Sequence, residues 1–172
     1  CLAANEPTET ILRTIIRATC ETQGWQCGRY FAGDEATGVL RFAVGWGVPD
    51  PAVEGVLAAS PQMEYRPGEG FAGLSWQTRD PIWVADIPAN SPPKYGQLSH
   101  SFGMHSLFVF PALAGNQAMG VFAFSSKEVR ERDERLIQAS RAIGSLVGLF
   151  LRRRHAEQQL RESEERFRGL SR

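Results

Sequence analysis

The sequence carries no excess charge of either sign: 19 Lys and Arg stand against 19 Asp and Glu, a formal net charge of zero. No overall field draws the chain to nucleic acid or to an anionic membrane, so neither is expected as a partner. Cysteine is scarce. Cys1, Cys20 and Cys27 are an odd set without a CxxC pair, which excludes a disulfide framework or a zinc site and fits a reducing compartment. Long apolar runs are missing too. The most apolar stretch, 142–151, is broken by Gly144, Ser145 and Gly148 and stops at Arg152, short of the about 20 residues of a membrane span. The first residues lack a basic segment followed by an apolar one, so no signal peptide is expected. The chain reads as cytoplasmic and as a piece of something larger. What is present is 172 residues, 42% hydrophobic and 10% aromatic: enough to bury one core, and unlike a disordered segment.

Hydrophobic periodicity orders the elements. Residues 5–23 open with Asn5 as a cap and Pro7, then place Leu12, Ile15, Ile16 and Thr19 on one helical face before Gly24. Residues 25–32 and 39–48 are aromatic and β-branched around a turn, a predicted antiparallel hairpin. A short helix is expected near 52–59, another over 74–78, and a strand over 82–87. Residues 88–103 form a long polar, proline-containing loop with a helical turn near 95–101, and long loops within domains often carry function. Strands 106–113 and 118–125 meet at Gly115 and Asn116 in a second hairpin. Ser125 and Glu128 fit a capping box for a long final helix whose apolar face runs through Leu136, Ile143, Leu146, Val147 and Phe150. Beyond Phe150 only Leu160 and Phe167 remain amid dense mixed charge, so that part should project outward as a connector or coiled coil. The order predicts an α+β fold with an antiparallel sheet, helices packed on it and a long C-terminal helix. The expected division is a domain over 1–150 and a helical connector over 151–172.

Two stretches make the sequence recognisable. Pro67-Gly68-Glu69-Gly70-Phe71-Ala72-Gly73-Leu74-Ser75-Trp76, followed by Arg79-Asp80-Pro81-Ile82-Trp83-Val84-Ala85-Asp86-Ile87, resembles a segment common in GAF domains, small-molecule sensor modules of bacterial signalling proteins. The strand from Gly103 to Ala112 is similar to another family stretch, and the resemblance covers about residues 8 to 150. Leu160-Arg161-Glu162-Ser163-Glu164-Glu165-Arg166-Phe167-Arg168-Gly169-Leu170 looks like the connector into a PAS domain. Together these resemblances imply a downstream PAS domain and an output domain, a histidine kinase or a diguanylate cyclase, that would carry any catalysis.

Several motifs have both a chemical and a purely structural interpretation. Gly68, Gly70 and Gly73 match a dinucleotide fingerprint in spacing but lack the parallel βαβ unit it needs, so they read as a turn. Cyclic-nucleotide-binding relatives carry an Asn-Lys, Phe and Asp-Glu signature, of which this chain keeps Lys127, Asp133 and Glu134; the plain reading is a Lys127–Asp133 ion pair clamping the last helix. Bilin attachment and free methionine sulfoxide reduction rest, in relatives, on cysteines at positions this chain does not fill. Some GAF oxygen sensors hold haem through a histidine in the loop corresponding to 88–103. His100 lies in that loop and His105 follows, each with the alternative of a loop or packing role. The expected pocket lies between the sheet and the irregular middle segment. Its candidate ligand-binding residues are Tyr65, Phe71, Trp76, Trp83, Asp86, Tyr95, Phe102, His105 and Phe108, with Phe110, Arg29 and His100 as further contacts.

Three functions follow from this reading. The first is a regulatory module that binds an unidentified small molecule and passes its state through the final helix. The second is a structural module that dimerises through its terminal helices and relays signals without a ligand. The third is an enzyme, against which stands the lack of any nucleophile and base pair, paired acids or metal-ligand spacing.

Overall fold

The computed structural model of the protein describes residues 7–170. Cys1 and the Asn5 cap lie outside the described residues. The first helix, α1 (Thr8–Gln23), buries Ile11, Leu12, Ile16 and Cys20 and ends at Gly24 in the left-handed conformation. Ile11 and Cys20 therefore replace Ile15 and Thr19 at the centre of the expected face. Strands β1 (Cys27–Asp34) and β2 (Val39–Gly47) form the first hairpin. Helix α2 (Pro51–Ala59) is capped by Asp50, whose carboxylate accepts from the Ala52 N–H at 2.8 Å.

A two-residue strand, β3 (Glu64–Tyr65), then pairs with β2, a contact too short to register as a pattern in the sequence. Helix α3 (Gly70–Thr78) begins earlier than expected, β4 (Ile82–Val84) ends sooner, and α4 (Gln97–Ser101) is one short turn. Strands β5 (Ser106–Ala114) and β6 (Gln117–Ser126) form the second hairpin, and α5 (Glu134–Leu170) closes the chain. The six strands run in the order β3-β2-β1-β6-β5-β4, every pair antiparallel.

Alternation along β1, β5 and β6 sends neighbouring side chains to opposite faces. Tyr30, Phe108, Phe110, Phe122 and Phe124 face α1 and α5 and build one core with Leu12, Ile16 and Val147. Phe31, Leu107, Val109, Val121 and Ala123 face the other way, under Tyr65, Ala72 and Ile87. A smaller cluster, Cys27, Val53, Val56 and Met104, seats α2.

Three expectations about the C-terminal part are corrected. Ser125 and Ser126 remain in β6, paired with Leu107 and Ser106, so no capping box forms at Ser125. The start of α5 is capped instead by Asp133, whose carboxylate accepts from the N–H groups of Arg135 and Leu136. With Asp133 so engaged, Lys127 pairs with Asp50, tying the last loop to α2 rather than to the last helix. Leu146 is 71% exposed, because α5 packs through Leu136, Ile137, Ser140, Gly144, Val147 and Gly148, a face whose edge lies about 80° around the helix from Leu146. Small residues dominate that face because helix and sheet approach closely: a Cβ added at Gly148 would lie 2.1 Å from the Leu113 carbonyl carbon. Among the described residues, no helix is long and apolar enough to cross a membrane.

Candidate functional site

Arg29 and Phe31 are two residues apart on β1 and so share one face of the sheet. Arg29 is in register with Ala123 of β6, and Ala123 with Val109 of β5, which makes a continuous floor across three strands. Tyr65, Phe71, Ala72, Leu98 and Ser99 cover that floor from β3, α3 and α4. They enclose a cavity of about 20 Å³, room for roughly one water molecule.

Several contacts join the 88–103 segment to the start of α3. The Phe71 N–H donates to the Lys94 carbonyl at 3.2 Å, and the Lys94 ammonium meets Glu69 at 2.5 Å. The ring of Tyr95 meets Phe71 edge-on, with centroids 5.2 Å apart. Gly70 is fixed by this arrangement: its φ is +68°, and a Cβ there would lie 2.4 Å from the Lys94 carbonyl oxygen. The hydrogen bond from Lys94, joined by the Arg66 N–H, holds the Glu69 carboxyl below its ordinary range despite the opposing effect of desolvation.

Arg29 is the one charged side chain of the floor. It is 4% exposed, and its Nη1 and Nη2 donate to the hydroxyls of Ser60 at 3.2 Å and Ser99 at 3.5 Å. Among the described residues its Nε has no hydrogen-bond partner, and its guanidinium lies 5.4 Å from the Phe31 ring centroid.

The residues expected from sequence separate into groups. Tyr65 and Phe71 line the cavity with Arg29, and Tyr95 stands behind Phe71. Phe102 packs against α2 in the cluster of Val53 and Met104. Trp76 fastens α3 to the sheet, its Nε1 donating to the Ala118 carbonyl at 2.9 Å. Trp83, Phe108 and Phe110 lie on the helix side of the sheet; the Trp83 indole N–H donates to the Arg130 carbonyl at 2.8 Å. Asp86 and His105 form a solvent-exposed contact at 3.3 Å. His100 stacks edge-on with His105 at 6.1 Å, and neither imidazole lines the cavity. These histidines and so small a cavity do not fit a haem. Lys94, Leu98 and Ser99 were not expected from the sequence. Nothing in an irregular loop marks which residues turn inward, whereas Arg29 beside Phe31 in an apolar strand was a usable signal.

A wider cleft of about 240 Å³ opens between β5 and α5, bounded by Arg79, Phe110, Leu113 and Arg141. Arg141 meets Asp80 there at 3.5 Å. It holds none of the expected binding residues apart from Phe110.

Comparison with solved structures gives the fold a context. The GAF domain of a phosphoenolpyruvate-protein phosphotransferase from Coxiella burnetii superposes with a TM-score of 0.72 at 18% identity, over 91% of this chain and 89% of that one. A domain of a two-component sensor histidine kinase protein from Sinorhizobium meliloti gives 0.66 at 17% identity, over 89% and 97%. A free methionine-R-sulfoxide reductase from Neisseria meningitidis, solved with its substrate, gives 0.64 at 20% identity, over 91% and 84%. At such identities the likeness is one of fold. No curated protein matches this chain. A family model described as GAF domain matches residues 5–152, most of the sequence, and the chain belongs to the GAF domain family.

Proposed function

We propose that this chain is a cytoplasmic regulatory module that binds a small molecule between the sheet and the 88–103 segment and relays its state through α5. The supporting observation is the cavity on the sheet face opposite α5, roofed in part by the irregular 88–103 segment. Strand β5 joins the two faces. Leu107 and Val109 reach the cavity, Phe108 and Phe110 reach the helix layer, and the carbonyl of Pro111 would be 2.3 Å from a Cβ at Gly144 of α5. A ligand that favours one arrangement of roof and floor thereby biases the seat of α5, which is what coupling requires.

The relay itself rests on the outer stripe of α5. Ala139, Leu146, Arg153, Leu160 and Phe167 recur every seven residues, and Ala142, Leu149, Ala156, Ser163 and Leu170 follow them three residues later. All are exposed, and at about 100° per residue the stripe lies opposite the face packed on the sheet. We read it as the seam of a parallel homodimer. A PAS-like connector then leads to a kinase or cyclase output domain in the same chain. The division is a sensor domain over 1–150 and a connector over 151–172.

Catalysis within this chain is not part of the proposal. Cys20 and Cys27 are both buried, and desolvation, with the neighbouring Cys27 second, pushes the Cys20 thiol up to about 12. A second reading, a ligand-free structural relay, is favoured by the small size of the cavity. Native mass spectrometry of the freshly purified chain, compared with its denatured mass, separates the two. A non-covalent added mass supports the sensor, and a bare dimer favours the ligand-free relay.

A further inference from the structure

The environment of Arg29 is incomplete as it stands. A guanidinium remains charged at any working pH and offers five N–H donors. Arg29 is 4% exposed, yet among the described residues no carboxylate lies within ion-pairing distance of it. Among the described residues its hydrogen-bond partners are two neutral hydroxyls, one of them at 3.5 Å, and its Nε has none. Burying an unpaired charge is costly, and the cost is offset only by a counter-charge or a full set of hydrogen bonds.

The rest of the wall has the same polarity. Lys94 is the other charged residue lining the cavity, and no acidic side chain lines it; Glu69, which holds Lys94, sits outside. The remaining surface is apolar or aromatic, with Phe31, Tyr65, Phe71 and Val109 prominent. We infer that the ligand of this cavity is a small organic anion, an apolar body bearing one planar or tetrahedral oxyanion group that pairs with the Arg29 fork. This rests on the sensor reading and gives its ligand a class. The oxyanion takes the open Nε and Nη positions, where a bidentate pairing is the strongest contact a guanidinium makes. The cavity of about 20 Å³ does not hold such a body until the 88–103 segment lifts, so binding includes displacement of Ser99 from Arg29.

The test is a thermal-shift titration of the whole chain at fixed ionic strength. The probes are butyrate, benzoate and inorganic phosphate, set against butyramide and benzamide. For an anion present at about ten times its Kd, the wild-type midpoint should rise by a few degrees. The rise should vanish in Arg29→Met. Should that variant not fold, Arg29→Lys keeps the charge without the fork, and its affinity for the anion should fall at least about tenfold. A response to the carboxylates alone assigns the oxyanion to a carboxylate, and a response to phosphate alone assigns it to a phosphoryl group. An equal rise with the amides, or an anion affinity unchanged in Arg29→Lys, overturns the inference and leaves the sensor reading standing. No rise with any anion also overturns it, and the native mass measurement then decides separately whether the sensor reading falls.

Discussion

Trp83 of β4 and Phe108 of β5 are register partners whose ring centroids lie 4.9 Å apart on the helix side of the sheet. Trp25 meets both, edge-on to Trp83 at 5.5 Å and stacked on Phe108 at 6.1 Å. The cluster joins the edge of the sheet to the loop that precedes α5, through the Trp83 bond to the Arg130 carbonyl.

Trp83→Ala should therefore cost about 3 kcal/mol of stability, the low end for a large aromatic, because part of the ring is exposed. Urea unfolding measures this. Affinity of the folded variant for any ligand of the cavity should be unchanged, and a specific loss of binding without loss of stability would place Trp83 in the site.

Gly148→Ala tests the close seat of α5. The added methyl meets the Leu113 backbone at 2.1 Å, so the helix must move outward. Overpacking of this kind costs about 1–3 kcal/mol, against about 1 kcal/mol gained in helix propensity. A net fall in stability is expected, read from the midpoint of denaturation; a net rise contradicts the close contact.

The outer stripe of α5 makes a prediction about assembly. Leu149→Asp combined with Leu160→Asp should convert a dimer to a monomer in sedimentation velocity, because two of the large apolar seam contacts are lost and like charges are brought together across it. Since Leu149 is 47% and Leu160 62% exposed, the melting midpoint of the monomer should stay within a few degrees of wild type when extrapolated to low concentration.

Acid should loosen the cavity's cover. Glu69 and Asp50 are held below their ordinary ranges first by the lysines that bond them, Lys94 and Lys127. A depressed carboxylate contributes stability that is present above its unfolded pKa, about 4, and is lost as pH falls through the lower folded value. Calorimetry from pH 6 to pH 3 should show the melting midpoint falling below about pH 4. Glu69→Gln, which cannot ionise, should flatten part of that fall.

Much of the architecture was legible because its signals are local. Both hairpins follow from aromatic and β-branched runs flanking glycine turns, α1 and α2 from spacing and punctuation, and α5 from its apolar spacing alone. The failures have physical causes. Alternation shows that Phe108 and Val109 point to opposite faces but not which face bears the helices; packing puts Phe108 and Trp83 on the helix side and Val109 on the cavity side. Leu146 matched the helical period, yet Gly144 and Gly148 decide which stripe packs, because close approach favours small residues over large ones. Lys127 chose Asp50 over Asp133 because Asp133 is engaged in capping α5, a competition invisible in sequence spacing.

The most direct measurement on the central claim is native-state hydrogen exchange at the Met104 amide. Met104 is fully buried, and its N–H donates to the Ser99 carbonyl at 2.9 Å, within the segment proposed to lift. The account predicts that this amide exchanges by local opening, with protection at least about tenfold below that of Phe122 and Phe124 in the sheet core. Equal protection at the three positions, with exchange only through global unfolding, would show a cover that does not open and would contradict a gated ligand site.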